Sequence, residues 1–495
     1  MRHGADVEAQ AQEFPVEGRL PYAETDFVPG TPLHRAVCRN KRRAVQTLLR
    51  LGASLDALAL DDLDMTPLAL ATLCHYPDIL ADCLDHHQQE GLVPRLITPG
   101  GKSLLIPAIE GGSIHKMTIG RVTRHGDCWK LRAIETLVVL LVNGASAHLA
   151  DLPGEPGVSA LFFAATWQPH IIEFLVRNGA LPDINRRCVD TADVSDEEMM
   201  RPPLHQAILW GKTANALKLL ELGADVQLGE NEHLPTSALY QCAISSVQDH
   251  KLVEELCRKG LGVDDGPPDY ETPFALAVRN GCYELAAILR CKGASPNALY
   301  SEGYCWKSRN RHTLLFTLLR NNNPASISRL KFLLDRASGS EVAVMVEPER
   351  NHTAFHALAI MDGDSLDGDT ASKALQCCDE YFDPDSAVLN VQSVPRLVPA
   401  AESGLEDEGG NTALHYAITS ANFEVTEYLL AHGADPLLKN AMGMTPLDIA
   451  ALIYPDFASR FEPRDIPRCA RRQLDSAKRR RDAIMKRLSA ATNVV

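Results

Sequence analysis

The sequence predicts an all-α solenoid of stacked helix-turn-helix units joined by β-hairpin-like loops, elongated and curved. Three observations predict it. A phrase that starts a helix recurs eleven times, and a phrase that ends one follows seven of those starts. Four start-to-end spacings are the same 21 residues: Thr31–Gly52, Pro202–Gly223, Thr272–Gly293 and Thr412–Gly433. Self-similarity on this scale marks a repeat architecture, in which no helix pair buries its apolar face alone and neighbours stack into one core.

The starting phrase is clearest as Thr31-Pro32-Leu33-His34, Thr66-Pro67-Leu68, Pro202-Pro203-Leu204-His205, Thr272-Pro273-Phe274, Thr412-Ala413-Leu414-His415 and Thr445-Pro446-Leu447. Weaker copies begin at Ser103, Ser159, Ser237, Thr313 and Thr353. Thr or Ser caps a helix with its hydroxyl, and Pro at the first helical position loses no hydrogen bond it needed. A short apolar helix follows, as in Leu33 to Val37, with a small residue at its close-packing position: Ala36, Ala71, Ala108, Ala164, Ala207, Cys242, Ala277, Ala417 and Ala450. A second, amphipathic helix runs from Ala44 to Arg50 or from Val425 to Ala431. The closing glycines, Gly52, Gly144, Gly179, Gly223, Gly260, Gly293 and Gly433, take the left-handed conformation cheaply.

Departures from the pattern divide the chain. Residues 1–29 are expected to be the remnant of a preceding repeat plus a linker, because Arg2-His3-Gly4-Ala5-Asp6-Val7-Glu8 reads as the tail of a unit. Residues 30–455 hold ten to eleven units, several degenerate, with insertions near 112–130, 185–200, 298–311, 361–371 and 383–410. Residues 456–495 form a basic C-terminal helix or tail. Such loops are surface features, open either to partners or to drift.

The net charge of −15 combines +7 over residues 460–495 with −22 over the rest. An acidic body discourages nonspecific nucleic-acid binding, and the basic tail leaves only a weak, local route to it. The thirteen cysteines are scattered with no C-x-x-C pair, which suits reduced thiols within a cell. No apolar run approaches the roughly 18 residues of a membrane span. An intracellular protein, cytoplasmic or nuclear, is expected.

Catalytic patterns are missing from the sequence. Gly100-Gly101-Lys102-Ser103 approaches a phosphate loop, but Leu96 stands where the first glycine belongs and Ser103 opens a repeat. His86-His87 and Cys377-Cys378 have no further ligands at metal-site spacing. The expectation is no catalytic, metal or cofactor site, no cofactor and no small-molecule substrate.

With this wording and a period near about 33 residues, residues 30 to 455 resemble the ankyrin-repeat family, most specifically at 30–57, 201–226, 271–297 and 410–450. The resemblance implies that His34, His205, His356 and His415 bridge their own repeat to a neighbour by hydrogen bonds. It also implies that partners are met at the hairpin tips, at the residue before the opening Thr, and at the seventh and eighth residues after it. Those positions hold Trp167, Trp210, Arg39, Arg279, Asn280, Met444 and Ser420. Trp167 and Trp210 share the eighth position in successive repeats, while Trp129 and Trp306 fall in the inserted loop and the stretched hairpin. Tryptophan is over-represented in binding hot spots, so the pair either meets a partner or folds back over an imperfect turn.

The function implied is a non-enzymatic scaffold that binds other proteins through the concave helix face and hairpin tips. Two alternatives stand: a targeting or regulatory segment of a larger, N-terminally truncated protein, and a nuclear regulator using Lys478-Arg479-Arg480-Arg481 of the tail. A plain solvated end helix accounts for that tail as well.

Overall fold

The computed structural model describes residues 6–9, 30–58, 65–91, 96–97, 103–110, 128–148, 158–188, 201–227, 237–266, 270–300, 311–320, 324–336, 345–360, 368–382, 386–395, 409–420 and 422–453. Trp306, the centres of the five expected insertions, most of residues 1–29 and the basic tail lie outside them. The chain divides into two compact units, residues 1–234 and 235–495.

The first unit strings five helix pairs: α1 (Pro32–Cys38) and α2 (Arg42–Arg50), α3 (Pro67–Leu73) and α4 (Pro77–Gln89), α5 (Leu105–Glu110) and α6 (Cys128–Val142), α7 (Ala160–Ala164) and α8 (Pro169–Leu175), α9 (Pro203–Leu209) and α10 (Thr213–Glu221). First helices pack in succession, α1 on α3, α3 on α5, α5 on α7 and α7 on α9. The second unit repeats the plan with α11 (Ala238–Ile244), α12 (His250–Arg258), α13 (Pro273–Asn280), α14 (Tyr283–Cys291), α15 (Leu314–Arg320), α16 (Pro324–Arg336), α17 (Ala354–Ala359), α18 (Gly368–Tyr381), a one-turn α19 (Ser386–Leu389), α20 (Ala413–Thr419), α21 (Phe423–Ala431) and α22 (Pro446–Ile453). One hairpin, β1 (Met345–Glu347) with β2 (His352–Thr353), is the only sheet among the described residues.

The local chemistry acts as the sequence implies. The hydroxyls of Thr66, Ser159, Ser237 and Thr272 each accept the N–H three residues on. Thr31, Thr353 and Thr412 engage a histidine instead. Each donates its backbone N–H to Nδ1 of His34, His356 or His415 at 3.1–3.2 Å. A backbone N–H can only donate, so Nδ1 is the acceptor and Nε2 carries the proton. That Nε2–H then donates to the residue before the next opening Thr: His34 to the Met65 carbonyl, His356 to that of Asn411 and His415 to that of Met444. The bridge is thus seen at His34, His356 and His415. His205 follows Pro202, which has neither hydroxyl nor N–H to complete the cap.

The small slot is buried throughout, from Ala36 to Ala450 and including Cys242. Leu318 and Leu358 occupy it in the eighth and ninth repeats. All seven closing glycines have φ between 86° and 104°.

Several boundaries differ from expectation. Helices α2 and α21 begin two residues early, at Arg42 and Phe423. Helix α6 begins at Cys128, inside the expected insertion 112–130, because neither Gly nor Pro interrupts residues 127–142. Trp129 therefore stands in the first turn of α6 and not in a loop. The expected linker 185–200 begins inside the core: Cys188 is fully buried against Val158 and Phe162 and pairs with Arg201 in a β-bridge. The stretched hairpin at 298–311 is likewise closed at its base by a Tyr300–His312 bridge. There Tyr300 is fully buried and its hydroxyl lies 2.9 Å from Thr317 Oγ1.

Successive hairpin tips are laddered through side chains. Asn185 accepts the N–H of Asp225, Asp264 that of Ser295 and Asn390 that of Asp435. Glu8 does the same for Ser54, at 2.7 Å. Asp6, in turn, accepts the N–H of Glu8, as Ser146, Asp225 and Asp435 do two residues ahead of themselves. Residues 6–9 thus occupy a tip position.

Candidate protein-contact surface

The chain must turn sharply between first and second helix; in the fourth repeat the ninth residue after the opening one, Gln168, is extended at φ −136°, but in five others that residue takes a left-handed turn. Asn40, His75, Gly211, Ser246 and Gly281 all stand there, with φ between 52° and 76°. Gly adopts this left-handed conformation freely and Asn and His are enriched in it, whereas Ser bears some strain. The eighth residue sits just before that reversal, at the C-terminal end of the first helix.

Trp210 caps α9 at this position and is 55% exposed. Trp167, also eighth after its opening residue, lies past α7 in the bend before α8 and is half-buried. Since α7 packs on α9, the two tryptophans follow neighbouring first helices. The Trp167 turn is braced from below: Asn215, buried at the start of α10, donates Nδ2–H to the Ala165 carbonyl at 2.7 Å, and the Trp167 N–H donates to Ala164. Arg39 occupies the same position after α1 and is exposed. Cys74, its counterpart in the second repeat, is buried, so exposure along the row is selective.

The other expected contact residues lie in the second unit, and their side chains or backbones are partly committed. Arg279 is exposed but pairs with the buried Glu271 at 3.0 Å. Asn280 donates Nδ2–H to the Ala243 carbonyl at 3.1 Å, binding its turn to the preceding repeat as Asn215 does. Ser420 caps α20 and is half-buried. Met444 is half-buried, and its carbonyl receives the His415 bridge.

One feature was not read from the sequence. The first repeat is a cationic island, carrying Arg35, Arg39, Lys41, Arg42, Arg43 and Arg50 with no acidic residue before Asp56. Lys41, Arg42 and Arg43 sit at the N-terminal end of α2, where the helix dipole disfavours cations by about 0.3–1 kcal/mol each. Arg42 is compensated by a two-pronged pair with Asp82, at 2.6 and 2.8 Å. That hydrogen bonding holds the Asp82 carboxyl below the usual carboxylate range. Lys41 and Arg43 are exposed. The signal was available in the residues 39–43, but was averaged into the net charge of the whole body.

No cluster of three or more metal-ligating side chains exists among the described residues. Burial pushes the thiols of Cys83 and Cys242 up to about 12, which leaves them protonated and unreactive. No helix among the described residues is long and apolar enough to cross a membrane.

Comparison with known proteins agrees with the repeat reading. The family model for ankyrin repeats in many copies matches residues 401–450, and that for a single ankyrin repeat matches residues 30–59. Ankyrin repeat domain-containing protein 13C-A of Xenopus laevis is 38% identical over 80 residues, 16% of each chain. The 2-5A-dependent ribonuclease of Homo sapiens is 47% identical over 47 residues, 10% of this chain and 6% of the relative. The mitochondrial disaggregase of Bos taurus is 35% identical over 208 residues, 39% of this chain and 25% of the relative. This chain thus spans at most a quarter of the length of these relatives. Among solved structures, the ankyrin repeat domain of Bcl-3 is 24% identical, covering 52% of this chain and 98% of that one with a TM-score of 0.36. With capped helix pairs, left-handed closing glycines, histidine bridges and two matching family models in hand, this chain is an ankyrin-repeat protein.

Proposed function

We propose that this chain is a non-enzymatic scaffold that binds partner proteins along the helix ends and hairpin tips of its repeats. Ankyrin repeats are generally protein–protein interaction modules. The observation that carries the reading here is Trp210, a large apolar ring left more than half in water at the rim of a well-packed repeat. Exposed aromatic anchors of this kind dominate binding energy when a partner covers them. Trp167, half-buried in the bend after the neighbouring α7, is the second residue of this reading. The absence of catalytic patterns in the sequence supports a binding role without chemistry, and the scattered cysteines without C-x-x-C pairs suit a reducing cytoplasm or nucleus.

The test is the Trp167→Ala/Trp210→Ala chain in proximity labelling beside the unaltered one. The reading expects partners of the unaltered chain to be lost while helical circular dichroism persists. Retention of every partner overturns it.

A second reading, a nuclear regulator, is favoured by the +7 charge of residues 460–495. Deleting those residues should then move a tagged chain out of the nucleus; an unchanged distribution removes this reading.

A further inference from the structure

We propose that the segment this scaffold captures is an acidic, extended stretch of a partner protein, whose carboxylates seat on the cationic turn of the first repeat. The proposal rests on the scaffold reading and specifies the chemistry of what is bound. Its basis is a mismatch between charge and local stability. Arg39, Lys41, Arg42 and Arg43 crowd the turn from α1 into α2, and the last three point like charge at the positive end of a nine-residue helix. A helix start ordinarily gains from Asp or Glu, and the first turn of α2 has none. The neighbouring repeat answers only in part: Asp82 and Asp78 are both drawn to Arg42. Lys41 and Arg43 remain exposed beside them. The folded chain thus holds positive charge where its own architecture disfavours it, on a body whose overall charge is strongly negative.

Geometry connects this turn to the aromatic pair. Arg39 and Trp210 cap α1 and α9, and Trp167 follows α7 in the bend before α8, all at the eighth position of repeats whose first helices pack in unbroken succession from α1 to α9. Packed helices lie about 8–10 Å apart, so the row from the first to the fifth repeat measures roughly 30–40 Å. An extended chain covers that in about 10–12 residues at about 3.3 Å each. A fitting segment carries Asp or Glu at one end and apolar side chains at the other. A nucleic acid fits less well, because a uniform polyanion continuing past the first repeat meets the acidic remainder of the body.

The test begins with a random library of peptides of about 16 residues, displayed on phage and selected against the full chain. Enriched peptides should be richer in Asp and Glu than the starting library. The leading peptide, labelled with fluorescein, is then titrated with the unaltered chain, with Lys41→Glu/Arg43→Glu and with Trp167→Ala/Trp210→Ala. The proposal expects at least a tenfold affinity loss in the charge-reversed chain, with recovery when the acids of the peptide are changed to Lys. The same charge-reversed chain should melt at an equal or higher temperature, since Glu suits a helix start, so lost binding cannot be ascribed to unfolding.

Peptides without acidic enrichment, lost only in the tryptophan variant, overturn the acidic assignment and leave the scaffold reading standing. Peptides that bind all three chains alike overturn both, as does a selection that enriches nothing. A labelled single-stranded oligonucleotide that binds tighter than the peptide, and is released by the same charge reversal, overturns the assignment to a protein segment.

Discussion

Asn215 donates its side-chain amide to the carbonyl of Ala165 across 2.7 Å, from the head of one helix to the turn of the preceding repeat. Fifty residues separate the two in sequence, and the bond joins the repeat that carries Trp210 to the one that carries Trp167. Neighbouring repeats are therefore stitched at the level of the contact row as well as through their apolar faces.

Replacing Asn215 by Ala leaves two buried carbonyls, at Ala164 and Ala165, without this donor. The expected cost is about 1–3 kcal/mol, the penalty for a buried acceptor left unmade. Urea unfolding followed by tryptophan emission measures it. A loss below about 0.3 kcal/mol contradicts the bracing role.

The closing glycines should be intolerant for conformational reasons alone. Gly433 has φ 91°, and a Cβ built there meets nothing within 4 Å. Gly433→Ala should then destabilise by about 1–2 kcal/mol, with Gly433→Asn milder because Asn tolerates the left-handed region. Thermal melts of the two variants rank them. Equal stability of Ala and Gly at this site would refute the assignment.

Acid should weaken the fold through the bridging histidines. Burial holds His356 down to about 3 and lowers His415, so both fold in the neutral form. The unfolded value lies near about 6.5, above the folded one, so the stabilisation is complete above that pH and shrinks as pH falls toward the folded value. Between about pH 7.5 and 5.5, unfolding free energy should fall by roughly 1–3 kcal/mol for the pair. Chemical denaturation at the two pH values reads this directly. A flat response contradicts the neutral, Nε2-protonated assignment made from the Thr N–H geometry.

Much of this architecture was legible because caps, small residues and glycines act locally. Thr272 needs only its own hydroxyl and the Ala275 N–H to start a helix, and Gly293 only its missing side chain to end one. What escaped the sequence depends on residues far apart. Cys188 looked like the start of a linker, but closes the core over Phe162 from 26 positions away. Tyr300 looked like an insertion, yet its ring packs on His312. The buried contact of His352 with Glu347 at 2.8 Å arises from a hairpin that no repeat pattern announces. For the contact row, register alone located Arg39 and Trp210 at equivalent helix ends and grouped Trp167 with them, although it lies past the end of α7. It could not tell the exposed ring of Trp210 from Asn280, whose amide is occupied by the Ala243 carbonyl.

The central claim is that partners are met along the helix-end row. Photo-crosslinking tests it most directly, with benzoylphenylalanine placed at position 39 or 210 on the row and at the exposed Arg177 beyond α8 for comparison. The account predicts that a protein partner is trapped from the row positions and not from position 177. Crosslinks as abundant from position 177 as from 39 and 210, or from 177 alone, would contradict it.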